Sequence, residues 1–211
     1  MRRWVAPDRF GLLLTVVLLS FITTPIVVER ELGGLVLAAQ TGAIVLLALA
    51  ASGVARRWFL PTSIVVGLAV IVLASESVVT EGAAAAWVSG AITALLAVTP
   101  FLVLRRVLAH DRVTLSSVAG SLCAYLLIGL AFGSLYRTLS AVDEAAFSEV
   151  LGESANYVSF VTLTTLGFGD IVPLSDLARS LVTLEAVLGQ VVLVTLVARS
   201  VSTLGQVKVR P

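Results

Sequence analysis

Thr164-Thr165-Leu166-Gly167-Phe168-Gly169-Asp170 is the stretch on which the fold turns. Two glycines separated by one residue permit positive φ at Gly167 and Gly169, where a Cβ would clash. If their neighbours keep negative φ, successive carbonyls all point one way. Several such strands set around an axis would form rings of carbonyl oxygens, a cage able to replace the water around a cation. The motif closes an uncharged run, 154–169, that is too short to cross a bilayer, and it precedes a long apolar segment.

The rest of the chain reads as membrane. Its 211 residues are 58% hydrophobic and 13% charged, with mean hydropathy +1.06. Water-soluble domains of this size are far more polar. Uncharged runs cover 10–28, 32–55, 58–75, 82–104 and 113–136, and a sixth, 180–198, is broken only by Glu185. Each run holds about 18–24 residues, enough for a helix to cross ~30 Å of hydrocarbon. Six spans are therefore expected, in an all-α membrane protein.

Charge sets the orientation. With both termini inside, Arg2, Arg3, Arg9, Arg56, Arg57, Arg105, Arg106, Arg112, Arg199, Lys208 and Arg210 fall on the cytoplasmic side. Only Arg30, Arg137 and Arg179 fall outside, as the positive-inside rule requires. Most acids run the other way, Asp143, Glu144, Glu149, Glu153 and Asp170 among them, and would draw cations to the outer face. The expected location is the cell (inner) membrane, multi-pass. Residues 1–28 have a basic start and an apolar run but no A-x-A-like cleavage site, so they read as a retained first span. The single cysteine, Cys123, reads as a small buried apolar residue.

The first four spans, roughly 10–28, 32–54, 59–75 and 83–104, turn outside at Glu29-Arg30-Glu31 and at 76–81, and inside at Arg56-Arg57. The fourth carries no charge before Arg105. Moving charge through the field couples voltage to opening, so this bundle has nothing to move. A linker, 107–116, holds the only histidine, His110, which reads as solvated. The fifth span, 114–136, carries Gly129 and Gly133 at G-x-x-x-G spacing, a face expected to meet the sixth span. Arg137 to Glu153 forms an acidic outer turret. Ser154 opens a helix over 154–164, about 16 Å long, that must enter the membrane and return. Irregular backbone at that depth survives only when buried in protein or lining water.

With these residues in view, the chain resembles the potassium-channel family, whose filter reads T-V-G-Y-G. Leu166 stands for Val and Phe168 for Tyr. The resemblance spans roughly 113–204. Pro173 follows the filter at the family's usual distance, and Arg179 opens the last span as in many members. Gly189 matches the hinge glycine of the inner helix. Leu184-Glu185, Leu188-Gly189-Gln190 and Val197-Ala198-Arg199 are similar to the inner helix of small bacterial ion channels. Two departures stand out. Phe168 lacks the hydroxyl that Tyr offers to aromatics behind the filter, and Tyr157-Val158 replace a Trp pair, which implies a more apolar cuff.

The resemblance implies a tetrameric channel of six transmembrane helices plus a re-entrant pore helix and filter loop. Residues 1–112 would form a four-helix peripheral bundle with its linker, and 113–211 the pore domain. K+ would be held by the backbone carbonyls of Thr165, Leu166, Gly167, Phe168 and Gly169, and by the Thr165 hydroxyl. Asp170 would sit at the filter mouth, with Gly189 and Glu185 as gating candidates. Glu185 is the one ionisable residue inside an expected span, a functional hypothesis by default, with Thr162 or Tyr157 as its expected packing partners. The expected function is potassium-selective passive conduction by a homotetramer among membrane lipids, without conventional voltage gating. Only seven residues follow Leu204, so no cytoplasmic ligand-binding domain is expected. The alternatives are a weakly selective cation channel and a nonconducting membrane scaffold. No catalytic constellation such as HExxH or GxSxG occurs, so no enzyme is expected, and no organic cofactor, nucleic acid or small-molecule substrate.

Overall fold

The computed structural model describes residues 10–27, 33–53, 83–109, 114–152 and 154–204, with isolated positions at 61, 63, 64 and 67. Those positions apart, the expected third span at 59–75 lies outside the described residues. So do the outer turns at 29–31 and 76–81, the Arg56-Arg57 turn and His110.

Among the described residues the regular structure is helical: α1 (Phe10–Val27), α2 (Gly33–Ala51), α3 (Ala83–Leu108), α4 (Leu115–Val142), α5 (Ser154–Leu163) and α6 (Asp176–Leu204). Three of these are long and apolar enough to cross a membrane: α1, α4, and α6 over Asp176–Ala198. The chain divides into two compact units, Met1–Ala124 and Tyr125–Pro211, with the division inside α4.

In the first unit α1 packs on α2, and α2 on α3. Only one stripe of α1 is buried, Phe10, Leu13, Val17 and Ser20, at the spacing of one helical face. Leu12, Leu18, Leu19, Phe21, Ile22 and Ile26 on its other faces are exposed. A helix apolar all round with one packed stripe is suited to lipid on the remainder. The Thr23 hydroxyl donates to Gln40 Oε1 at 3.2 Å, a polar tie from α1 to α2. Cys123 is buried, with its Sγ 3.4 Å from the Phe10 carbonyl oxygen. The basic residues of α3 are confined to its last turn, Arg105 and Arg106.

In the second unit α4 continues past the end of its uncharged run, through Arg137 to Val142, so the first part of the turret is helical. The turret then folds back. Its backbone pairs with residues 172–174: Ser148 N–H donates to Val172 O at 2.9 Å, and Leu174 N–H to Ala146 O at 2.8 Å. Between them Phe147 and Pro173 form an antiparallel bridge. Beneath it lies a core of Tyr136, Phe147, Leu151, Ala155, Val158 and Ala178. Tyr136 is tilted against Phe132 and Phe147, with ring centroids 5.9 and 5.5 Å away.

The face of α4 bearing Gly129 and Gly133 meets α5, where the spacing alone pointed to the sixth span. A Cβ at Gly129 would lie 2.6 Å from the Phe160 ring, and one at Gly133 would run into Asn156, 3.0 Å from its Cα. The short helix inserts its side chains where the two glycines leave space. Gly133→Ala should therefore lower the unfolding stability of the detergent-solubilised protein by about 1–3 kcal/mol, the usual range for overpacking. Gly11→Ala, whose Cβ meets nothing within 4 Å, should leave it unchanged or slightly raised; thermal unfolding of the two variants measures the contrast.

Candidate functional site

The site is built from α5, the residues that leave its C-terminus, and the groups packed behind them. Ser154 begins α5, with its hydroxyl on Glu149 Oε1 at 3.2 Å rather than on a backbone N–H of the first turn. The helix runs ten residues and unwinds through Thr165 N–H to Thr162 O at 3.0 Å and Leu166 N–H to Val161 O at 2.9 Å. Its last carbonyls carry a partial negative charge. One of them, Leu163 O, accepts from the Tyr125 hydroxyl at 2.9 Å.

From Thr165 the sign of φ alternates. Thr165 is at 58°, Gly167 at 59° and Gly169 at 76°, while Leu166 and Phe168 keep negative φ. In an extended strand successive carbonyls point to opposite sides. Alternation between left- and right-handed regions brings them to the same side instead. The two glycines adopt left-handed angles without strain. Thr165 does not: a β-branched residue there costs about 1–2 kcal/mol, so the surrounding bonds hold it. Its hydroxyl donates to Thr164 O at 2.7 Å, which leaves the oxygen's lone pairs open to a cation. Sequence reasoning anticipated the two glycines and missed Thr165, whose residue type argues against the conformation.

Leu166 and Phe168 point away from the chain's own core, 61% and 66% exposed. Phe168 lies parallel to Tyr157, ring centroids 6.4 Å apart and planes 4° apart. The Tyr157 hydroxyl passes beyond it and donates to Asp170 Oδ2 at 2.5 Å. A hydroxyl from α5 thus reaches past the Phe168 ring to the residue that follows Gly169. Past Asp170, Arg179 Nε donates to Pro173 O at 3.3 Å and fixes the entry to α6.

Behind α5, Glu185 of α6 is fully buried. It meets neither Thr162 nor Tyr157, the partners its position suggested. Its Oε2 accepts from the Tyr136 hydroxyl at 2.6 Å, and its Oε1 contacts Ser159 Oγ. Ser159 Oγ in turn donates to Gly129 O at 2.7 Å. The helix turn facing Glu185 carries Ser159, one turn before Thr162. Tyr125 and Tyr136 were also missed. They lie about three turns apart on one face of an otherwise apolar helix, a sign that their hydroxyls need buried partners. Gly189 lies inside an uninterrupted α6, where a Cβ would stand 2.7 Å from Leu163 Cδ1 and 3.2 Å from Leu163 O. Its lack of a side chain lets α6 approach the end of α5.

Residues 121–206 match the family model described as "Ion channel". No curated protein matches the chain, and no solved structure does. The matched stretch contains most of α4 and all of α5, the 164–170 segment and α6. It supports an ion channel, and with the apolar helices a multi-pass membrane protein. It points to a transporter-type protein rather than an enzyme.

The Tyr157 hydroxyl holds the Asp170 carboxyl below the usual carboxylate range. A depressed carboxyl stabilises the folded form above the ordinary carboxylate range, and that contribution is lost as pH falls through the lowered value. Tyr157→Phe keeps the ring stack and removes the bond. The Asp170 titration midpoint, followed by carbon NMR of the labelled carboxyl, should rise in this variant; an unmoved midpoint would show that the bond is not made.

Proposed function

We propose that the protein is a potassium-selective channel that conducts passively as a homotetramer, with residues 165–169 of each chain forming the filter. The observation that carries this is the alternation of φ along Thr165–Gly169, with positive values at Thr165, Gly167 and Gly169. A backbone whose φ alternates in this way turns successive oxygens to one side, an arrangement with little use in a packed core. Set around a symmetry axis, they replace the hydration shell of a cation. The Thr165 hydroxyl adds one more oxygen at the inner end, and Asp170 carries negative charge at the mouth. K+ is the substrate of this site, and no organic cofactor is invoked.

A closed ring of copies is what one chain lacks, and the resemblance to potassium channels sets their number at four. A single strand of carbonyls cannot enclose an ion, and closed rotational symmetry supplies the others. Leu166 and Phe168, largely exposed on one chain, need cover at membrane depth, which a neighbouring copy provides. The exposed Leu184, Val187, Val191 and Val194 of α6 suit contact with lipid or another copy. The resemblance of the filter to T-V-G-Y-G favours potassium, because main-chain carbonyls remain the ligands whether Phe or Tyr stands between the glycines. Conventional voltage gating is excluded from the proposal because α3 carries its basic residues only in the last turn. Both termini lie on the cytoplasmic side of the cell (inner) membrane, by the bias of Lys and Arg. The role assigned to Gly189 is close packing on Leu163, with bending there as the means of gating.

Purified protein in liposomes should carry a potassium flux that barium blocks, with a reversal potential that follows potassium rather than sodium in asymmetric solutions. Gly169→Ala places a Cβ at φ +76° and should abolish the flux while leaving a folded membrane protein. A reversal potential indifferent to the two ions would replace potassium selectivity with weak cation selectivity. No flux under any condition would remove the channel.

A further inference from the structure

Four groups behind the pore helix form one chain of contacts: Tyr136 Oη, the Glu185 carboxyl, Ser159 Oγ and Gly129 O. Tyr136, Ser159 and Glu185 are all fully buried. Their protons can be counted. Gly129 O is an acceptor only, and Ser159 Oγ lies 2.7 Å from it. Two oxygens at that separation repel unless a proton lies between them, so the serine proton belongs there. The serine has then nothing left to donate to Glu185 Oε1, yet those two oxygens are also in contact. The proton between them must come from the carboxyl group. Tyr136 supplies its own proton to Oε2. An ionised Glu185 would satisfy Tyr136 and Ser159 only by taking the serine proton away from Gly129 O.

We infer that Glu185 is held as the neutral acid, and that its proton completes a relay from Tyr136 to Gly129 O that fixes pore helix α5 between α4 and α6. The groups facing it are neutral hydroxyls: Tyr136 and, within electrostatic reach, Tyr125 on α4, and Ser159 on α5. On its own helix the nearest charged residue toward the N-terminus, Arg179, is bonded to Pro173 O. A carboxylate in that setting would lack the countercharge that burial demands. Glu185 is thus a positioning residue. It touches no ion; it holds the helix whose C-terminal end leads into residues 165–169. That consequence for conduction rests on the channel reading above, whereas the protonation state does not.

The test is infrared spectroscopy of the full chain in lipid at neutral pH, with carbon-labelled glutamate. A protonated carboxyl band that shifts with the label and is lost in Glu185→Gln is expected. The wild-type spectrum alone answers the question if that variant fails to fold. Gln keeps a donor toward Ser159 and an acceptor toward Tyr136; Leu keeps neither. Potassium flux and unfolding temperature should both be higher in Glu185→Gln than in Glu185→Leu, the flux by about tenfold, the scale of one unmade buried hydrogen bond. Absence of the protonated band overturns the inference. Its presence with Gln and Leu equal in flux and unfolding temperature overturns the positioning role. If no form conducts, wild type included, the channel reading falls, and the band and unfolding temperatures still decide this one.

Discussion

Peptide groups need partners, and residues 166–169 belong to no helix or sheet that would supply them in a regular ladder. Everything described around them answers that constraint. The Leu166 N–H is turned back onto Val161 O, and Tyr125 takes up Leu163 O just before the strand begins. Tyr157 reaches Asp170 just after it ends, and the turret pairs with 172–174 beyond that. The strand is gripped at both ends, with its carbonyls left open. The strain at Thr165, about 1–2 kcal/mol, is of the size that one or two such bonds offset at roughly 1 kcal/mol each. A segment held this way depends on its frame more than on its own sequence.

Close approach is the second requirement, and glycine supplies it at three places around α5. Gly129 and Gly133 admit Phe160 and Asn156 from one side, and Gly189 admits Leu163 from the other. A helix of ten residues has little surface with which to anchor itself. It gains contact only if its neighbours come within side-chain length of its backbone. This also explains why Ser159 can reach the Gly129 carbonyl. The missing side chain exposes that oxygen, and the hydroxyl takes it as an acceptor at 2.7 Å.

These features differ in how far they can be read from the chain alone. Gly167 and Gly169 are legible because the requirement for positive φ is local and residue-specific. Helix α1 and the starts of α2 and α3 follow their uncharged runs closely, because hydropathy decides both. The ends of α3 and α4 do not: Arg105 and Arg137 end the apolar runs, but a charge does not end a helix, and the two continue to Leu108 and Val142. The G-x-x-x-G spacing announced a close approach without naming the partner, since a short helix inserted late in the chain takes the place a full span would have had. Thr165 was illegible for the opposite reason. Its residue type disfavours the observed φ, and only tertiary bonds impose it. Glu185 was conspicuous as an ionisable residue in an apolar run. Its partners depended on which turn of α5 faced it, a matter of helix rotation that no spacing rule fixes.

The aromatic residues around 168 divide the support of the segment between stacking and hydrogen bonding. Phe168 offers no polar contact from the middle of the segment. Tyr157 supplies a hydroxyl from the helix side, and its reach carries it past the Phe168 ring to Asp170. The middle of the strand is then held by ring stacking, which resists sliding weakly and has no direction along the strand. The mouth is held by a short, charge-assisted bond, which does. In such an arrangement Phe168 sets the spacing between helix and strand, and Asp170 sets the register. Spacing and register are thus divided between two positions, and the polar anchor lies at the exposed Asp170, where solvent and pH reach it.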